Sequence, residues 1–287
     1  MSTYFRHTQH LQPSTFNLQL STLYSHLQLA KKYFQYYLTA SNSKGHGVHS
    51  PFVFEFIKFV LNDKTKYDCY STIEKQRQTL LNDKTVIDVE DFGAGSTVIK
   101  TKKRVVKDIA ASSLKPKKYS QLLFRMIQFY NKKNVLELGT SFGITTSYLA
   151  LATNKPVVTT MEGSQNIANI AQQNFNALQL NNITIIKGNF EKTLSTFLAK
   201  SSTIDFAFLD GNHRKIPTLN YFQQILTNST DETIVVFDDI HWSKEMEVAW
   251  EEIKAHEAIT LTIDLFFIGI VFLKKDFKVK QHFVVRY

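Results

Sequence analysis

The feature that most constrains the fold is a regular alternation of short apolar segments with amphipathic segments between residues 134 and 256. The apolar segments have the length and the aliphatic content of buried strands, and the segments between them have helical spacing. Such an alternation predicts a parallel sheet with helices on both faces. The predicted strands are Asn134–Leu138, Val157–Met161, Ile183–Lys187, Ile204–Leu209 and Thr233–Phe237.

Two more apolar segments, Ile259–Leu265 and Ile268–Leu273, follow at a tight connection and predict an antiparallel hairpin. The pattern therefore predicts an α/β fold: a Rossmann-like, doubly wound, mostly parallel sheet of seven strands that ends in a hairpin. Ligands of such sheets bind at the carboxyl ends of the strands. The residues that follow each strand are therefore the candidates for a functional site.

The part of the chain before this alternation has a different character. Of the 37 aromatic residues in the chain, 14 lie within the first 70 positions. Apolar residues recur at helical spacing over Phe16–Leu38, Ser50–Leu61 and Ser71–Leu81. We therefore expect a helical N-terminal region over residues 1–118 that covers a site in residues 119–287 and shapes the choice of substrate.

The positive charge is concentrated in the same region. Residues 1–118 carry 18 basic and 9 acidic side chains, whereas residues 119–287 carry 16 of each, so the whole net charge of +9 lies before residue 119. The densest run, between Lys100 and Lys118, could attract nucleic acid, an anionic surface or an acidic substrate, or could form a solvated face. The sequence leaves these alternatives open.

Several classes of protein are disfavoured by simple counts. The single cysteine, Cys69, excludes an internal disulfide and a cysteine-based zinc site. No apolar run reaches the ~18–20 residues of a membrane helix, and the first 15 residues lack the apolar core of a signal peptide. These features predict a soluble, cytoplasmic protein without a membrane span.

The first predicted strand runs into the turn ELGTSFG, residues 137–143, directly before a helix. Its glycines permit a sharp turn and close approach of a ligand, and the helix N-terminus offers free N–H groups to an anion. The spacing is not that of the G-x-G-x-x-G dinucleotide fingerprint. Glu162 follows the second strand, where a carboxylate can accept hydrogen bonds from both hydroxyls of a ribose.

At these residues the chain resembles a class I S-adenosylmethionine-dependent methyltransferase, most closely the catechol and caffeoyl-CoA O-methyltransferase branch. The resemblance covers residues 119–287 and is carried by the string VLELGTSFGITTSYLA. It implies S-adenosylmethionine as cofactor. The implied cofactor-binding residues are Gly139, Thr140, Ser141 and Gly143 around the methionine end, Glu137 at its amino group, Glu162 and Gly163 at the ribose, Asn189 and Phe190 at the adenine, and Asp210.

Carboxylates also follow the fourth and fifth strands, at Asp210, Asp238 and Asp239. Such close carboxylates repel each other unless a cation or a shared proton intervenes, and oxygen ligands suit Mg²⁺ or a similar ion. The resemblance implies that these three residues bind Mg²⁺ or another divalent cation, although Asp239 stands where the family has Asn. Alternatively, Asp210 contacts only the cofactor's amino group, and the other two cap a helix.

The resemblance also implies catalytic residues, Asp210 and His213. His213 stands where the family has a lysine general base, and a histidine can serve as a neutral base. The predicted reaction is an in-line transfer of a methyl group to a hydroxyl of a small molecule, aromatic or lipid-like, and relatives often form homodimers.

Two other functions stay open: an RNA or protein methyltransferase that uses the basic segment 100–118, and a non-catalytic module that keeps the cofactor fold. The segment Val86–Gly95 also has the pattern of a strand followed by acidic and glycine residues. We do not expect it to bind the cofactor, because no acidic residue follows near positions 111–116.

Overall fold

The computed structural model describes residues 23–42, 44–45, 48–91, 100–201 and 203–287. The expectations for the first 14 residues, for the start of the first helix at Phe16 and for the Gly93–Gly95 turn lie outside the described residues. Within those ranges, no helix combines the length and the hydropathy that a membrane crossing requires.

The part before residue 117 combines helices with a small antiparallel sheet. Ser50 begins the second helix as predicted, because its hydroxyl accepts a hydrogen bond from the backbone N–H of Val53. The described elements are α1 (His26–Thr39), α2 (Pro51–Phe56, continued as a π-helical turn over Ile57–Leu61), α3 (Asp68–Asn82), β1 (Val86–Asp91), β2 (Lys100–Val105) and α4 (Val106–Ser113).

The strand β2 departs from the expectation of a helical region with a charged face. Its sequence, KTKKRV, has few apolar residues, so periodicity does not identify it. It forms a strand because it pairs with the acidic strand β1, where Asp88 lies opposite Lys103. Cross-strand pairs of opposite charge stabilise such a ladder.

The large sheet confirms the predicted α/β architecture. Its order is β10-β8-β9-β7-β6-β3-β4-β5, with a parallel centre and the predicted antiparallel hairpin of β8 and β9. Its strands are β3 (Asn134–Leu138), β4 (Val157–Glu162), β5 (Ile183–Lys187), β6 (Ile204–Leu209), β7 (Ser229–Asp238), β8 (Leu261–Asp264), β9 (Ile268–Phe272) and β10 (Gln281–Val284).

The described sheet has eight strands, so the predicted number of seven is too low by one. The additional strand, β10, pairs in parallel with β8 at the edge of the sheet. This strand has only four residues, whose side chains alternate between half-buried and exposed. A pattern of this length is too short to distinguish a strand from a loop.

Six helices cover the two faces of this sheet. Along β6, Phe206 and Phe208 belong to one buried cluster, whereas Ala207 and Leu209 belong to the cluster on the opposite face. Burial on both faces explains why β6 is an almost continuous apolar run. The helices are α5 (Lys117–Phe129), α6 (Ile144–Ala150), α7 (Gln165–Ala177), α8 (Phe190–Leu198), α9 (Lys215–Leu226) and α10 (Lys244–Ala255).

The N-terminal elements pack directly on one face of the sheet. Phe56, Ile73 and Ile109 belong to the same buried cluster as Val135 and Phe208. The expected boundary between residues 118 and 119 falls inside α5. The division into an N-terminal cap and a methyltransferase domain stays a prediction. The two parts share one hydrophobic core.

Candidate functional site

A cavity of about 860 Å³ lies at the carboxyl ends of the central parallel strands. The neighbours of β3 are β4 on one side and β6 on the other, so the strand order reverses direction at β3. Crevices outside such a reversal are the usual ligand sites of open α/β sheets. The volume lies within the range of about 300–1,000 Å³ that is typical of small-molecule sites.

The turn after β3 depends on Gly139. Its φ is +104°, and a Cβ atom at this position would lie 2.0 Å from the carbonyl oxygen of Asp210. The backbone N–H of Asp210 in turn donates to the carbonyl of Leu138 at 2.8 Å. The absence of a side chain therefore lets the ends of β3 and β6 approach each other closely at the cavity floor.

Glu162 connects the ends of β3 and β4. Its carboxylate accepts hydrogen bonds of 2.9 Å from the backbone N–H groups of Ser141 and Ser164. Burial raises the pKa of Glu162, and these two backbone donors partly offset the effect. Each carboxylate oxygen has a further lone pair, and Glu162 lines the cavity, so it can also accept ligand hydroxyls.

Glu137 does not line the cavity. It is fully buried beneath the turn, where one of its oxygens accepts hydrogen bonds from the hydroxyls of Thr146 and Thr160. Its other oxygen has no hydrogen-bond partner among the described residues. Burial raises the pKa of Glu137 to about 7. This carboxyl therefore connects β3 to α6 and to β4.

Most of the other predicted cofactor residues surround the same cavity. Thr140 and Gly143 do not line it: Thr140 is buried with its hydroxyl 2.6 Å from that of Thr160, and Gly143 begins α6 against the ring of Phe175. The predicted residues that line the cavity are Gly139, Ser141, Glu162, Gly163, Asn189, Phe190, Asp210, His213, Asp238 and Asp239.

Asn189 and Phe190 form the wall of the cavity beyond Glu162. The side-chain oxygen of Asn189 accepts a hydrogen bond from the N–H of Glu191 at 2.9 Å and so caps α8. The Phe190 ring lies against Gly211, where a Cβ atom would approach it to 2.7 Å. This end of the cavity therefore offers an amide and an aromatic face.

Asp210 and Asp238 meet in the cavity at the carboxyl ends of β6 and β7, and a lysine lies between them. The Lys115 ammonium donates to Asp238 Oδ2 and lies 3.6 Å from Asp210 Oδ2. The side chains are well covered, with exposures of 11% for Lys115 and 1% for Asp238. The cation that the carboxylate cluster requires is therefore supplied by the chain.

The charges of this cluster perturb each other. Burial and the neighbouring Asp238 raise the pKa of Asp210 well above its usual value. Burial alone would raise the pKa of Asp238, but the Lys115 ammonium outweighs this effect and holds it below its usual value. Burial and Asp238 raise the pKa of Asp239 to about 6. Asp238 is thus the permanent anion of the cluster.

Lys115 is the main site residue that sequence reasoning missed. In the sequence it belongs to the basic run from Lys100 to Lys118, whereas Lys102, Lys103 and Lys107 of that run are exposed. The distinguishing signal is local: Lys115 stands between Leu114 and a proline, directly before the helix that precedes β3. That signal is too weak to identify a buried cation without the tertiary structure.

The predicted metal site has an incomplete set of ligands. Atoms of Asp210, His213 and Asp238 lie within 4.8 Å of one another, whereas Asp239 is not part of this group. His213 Nε2 lies 3.6 Å from Asp210 Oδ1. Because the Lys115 ammonium lies against both carboxylates, a divalent ion fits these residues only if Lys115 moves away.

Residues 136–240 match a family model with the description "Methyltransferase domain". This match confirms, for these residues, the resemblance that the sequence motif predicts. The chain therefore contains a methyltransferase domain, and the matched segment includes the turn after β3, Glu162 and Asp210. No curated protein matches the sequence.

Solved structures of methyltransferases share the fold. A Podospora anserina methyltransferase, PaMTH1, bound to S-adenosylhomocysteine aligns with a TM-score of 0.56 at 13% identity, over 89% of this chain and 99% of that one. A Bacillus cereus O-methyltransferase in complex with S-adenosylhomocysteine aligns with a TM-score of 0.52 at 20% identity, over 75% and 96%.

A third similar structure is the O-methyltransferase TomG from Streptomyces achromogenes, which is involved in tomaymycin synthesis and was solved in complex with S-adenosylmethionine. Its TM-score is 0.52 at 15% identity, over 76% of this chain and 95% of that one. These alignments support the predicted α/β methyltransferase fold.

Proposed function

We propose that this methyltransferase-domain protein transfers a methyl group from S-adenosylmethionine to a hydroxyl oxygen of a small molecule. The observation that carries the proposal is a single cavity with two chemically different parts. One part is lined by the Gly139 turn and Glu162, and the part lined by Asp210 and His213 adjoins it, because the Gly139 turn lies directly against Asp210. A cofactor half and a reaction half therefore adjoin, as an in-line transfer requires.

The cofactor half fits an adenosyl group with an amino acid at its end. Glu162 would accept hydrogen bonds from the ribose hydroxyls, beside Gly163, and Asn189 and Phe190 would hold the adenine. Gly139 and Ser141 would contact the methionine end, with Asp210 near its amino group. Three predicted residues do not line the cavity and would support the cofactor site indirectly, by shaping the turn: Glu137, Thr140 and Gly143.

The reaction half supplies proton transfer and alignment. Bound S-adenosylmethionine supplies an electrophilic methyl group on its sulfonium. His213 would remove the proton from the acceptor hydroxyl, since it lines the cavity beside Asp210 and a neutral imidazole nitrogen can accept a proton. Asp210 would orient His213 and the acceptor. The cavity walls would hold the reacting atoms in line.

The acceptor is proposed to be a small molecule with an apolar part. Tyr119, Trp242 and Phe267 line the cavity together with the catalytic candidates. Aromatic walls favour an aromatic or lipid-like acceptor. The O-methyltransferases of similar fold support oxygen as the accepting atom. A cytoplasmic location and a homodimer remain predictions.

The carboxylate cluster also bears on whether a metal ion assists the reaction. The grouping of Asp210, His213 and Asp238 within 4.8 Å favours it. The Lys115 ammonium between the carboxylates argues against it, and Asp239 lies outside the group. We therefore assign no step of the reaction to Mg²⁺.

A second candidate function is methylation of RNA or protein. Arg104 lines the cavity, and Lys102, Lys103 and Lys107 are exposed on the neighbouring segment. The acidic strand β1, with Asp88 opposite Lys103, reduces the net charge of this surface. A steep decrease of RNA binding with rising salt would favour this candidate.

Calorimetric titration with S-adenosylmethionine and S-adenosylhomocysteine, with Mg²⁺ and with EDTA, tests the proposal. We expect micromolar binding of both compounds in either buffer. An absence of binding in every buffer would refute the methyltransferase proposal and favour a non-catalytic module. Screening of small phenols and other hydroxyl compounds in the presence of S-adenosylmethionine would then identify the acceptor class.

A further inference from the structure

We propose that Lys115 is a built-in cation at the reaction end of the cavity, which takes the place of a divalent metal and holds the oxygen of the acceptor. The assignment of an acceptor rests on the proposed function, whereas the exclusion of a metal rests on the carboxylate cluster alone. Lys115 comes from the segment between α4 and α5, outside the segment that matches the methyltransferase family model.

The first argument is the placement of the ammonium. It donates to Asp238 Oδ2 and lies 3.6 Å from Asp210 Oδ2, so it touches the carboxylates that would otherwise be metal ligands. A divalent ion bound by the same two carboxylates would lie against a positive charge in a covered site, where such repulsion is strong. Metal and ammonium therefore compete for one position.

The second argument is that the backbone of Lys115 is anchored. Its carbonyl accepts a 2.8 Å hydrogen bond from Arg77 Nη1. Arg77 is buried and forms an ion pair with Glu74, which accepts a 2.9 Å hydrogen bond from the hydroxyl of Tyr148. This chain of contacts ties Lys115 to α3 and α6.

The third argument is the capacity of the ammonium for a further contact. A lysine has three N–H donors, and the described contacts go to Asp238 and towards Asp210. Lys115 lines the cavity together with His213 and Trp242. A donor that remains can hold the acceptor oxygen, and the positive charge stabilises negative charge that develops on that oxygen as its proton leaves.

The test is a titration with Mn²⁺ alone, followed by the electron paramagnetic resonance signal of the free ion. We expect the wild-type protein and the control variant Lys107→Ala to bind no Mn²⁺ at this site below millimolar concentration. We expect Lys115→Ala and Lys115→Met to bind Mn²⁺ at least tenfold more tightly, because they vacate the position between Asp210 and Asp238. Lys107 is an exposed lysine of the neighbouring helix α4.

Two outcomes would overturn the proposal. One is tight Mn²⁺ binding by the wild-type protein that is lost in Asp238→Asn. The other is no gain of Mn²⁺ binding in either Lys115 variant, although both keep a cooperative thermal transition. Should both variants fail to fold, Lys115→Arg, which keeps the charge, must still exclude Mn²⁺, and binding by this variant would equally contradict the proposal.

The same titration separates this proposal from the proposed function. Mn²⁺ binding is measured without S-adenosylmethionine or acceptor, so it reports on the cluster even if the cofactor assignment is wrong. In the presence of acceptor, Lys115→Met is expected to raise KM and to lower kcat, with the affinity for S-adenosylmethionine within about twofold of wild type. Unchanged KM and kcat would show that Lys115 does not contact the acceptor.

Discussion

The carboxylate of Glu162 accepts a hydrogen bond of 2.9 Å from the backbone N–H of Ser141 and thereby ties the end of β4 to the turn after β3. The same carboxylate accepts a second bond from Ser164. It therefore has a fixed orientation before any ligand binds. Preorganisation of this kind lowers the entropic cost of binding.

Glu162→Gln is expected to weaken S-adenosylmethionine binding by about 10- to 100-fold, because a hydrogen bond to a charged group contributes about 1.5–3 kcal/mol. The glutamine amide also cannot accept hydrogen bonds from both backbone N–H groups, because one of its two terminal atoms is a donor. Calorimetry measures the change, and the exposed Glu257→Gln serves as the charge-matched control. Equal affinities of the two variants would contradict a role of Glu162 in ribose binding.

Gly139→Ala is expected to destabilise the fold and to abolish cofactor binding. Its φ of +104° is unfavourable for alanine, and its Cβ atom would overlap the carbonyl oxygen of Asp210. We expect a loss of at least about 2 kcal/mol in the free energy of unfolding, measured with urea.

Gly188→Ala is the matched control for Gly139→Ala. Gly188 also has a positive φ, +131°, but the nearest atom to its Cβ position is a methyl carbon of Thr193 at 3.2 Å. A smaller loss of stability is therefore expected. A larger loss in Gly188→Ala would show that the close approach at Gly139 is not what constrains the turn.

His213→Gln is expected to lower kcat by about 10²- to 10⁴-fold, the usual contribution of a general base. Its affinity for S-adenosylmethionine should change by no more than about twofold, because His213 lies at the reaction end of the cavity. Steady-state kinetics and calorimetry separate the two effects, with the exposed His26→Gln as control. A kcat close to wild type would exclude His213 as the base.

The raised pKa of Glu137 predicts a specific pH dependence of the free energy of unfolding. Its pKa in the folded protein is raised from 4.5 to about 7, so the folded state retains a proton that the unfolded state releases. The contribution of this carboxyl to stability therefore falls as the pH rises from about 4.5 to 7 and is constant above. A shift of this size corresponds to roughly 3 kcal/mol as an upper limit.

Glu137→Gln should remove this dependence, since a glutamine oxygen can still accept from Thr146 and Thr160. Urea unfolding at pH 5 and pH 8 measures it. The loss of stability between the two pH values should be smaller in the variant than in the wild type by up to about 3 kcal/mol. The same loss in both proteins would show that Glu137 is ionised throughout.

The sheet and most of the cavity wall could be predicted from the order of residues along the chain. Continuous apolar runs identify β3, β6 and the end of β7, because strands buried on both faces contain few polar residues. The residues at their carboxyl ends meet because parallel strands end at one edge of a sheet. Glu162, Asn189, Asp210 and Asp238 could therefore be assigned to one site from their positions in the chain.

Two features of the site depend on tertiary packing: the side chain that neutralises the carboxylates, and the carboxylate that faces away from the cavity. Lys115 precedes Asp238 by 123 residues, and no periodicity relates positions so far apart. Glu137 belongs to the motif, yet it points beneath the turn, towards Thr146 and Thr160. Local patterns record burial and strand ends, whereas the pairing of distant charges depends on packing among helices and strands that are far apart in sequence.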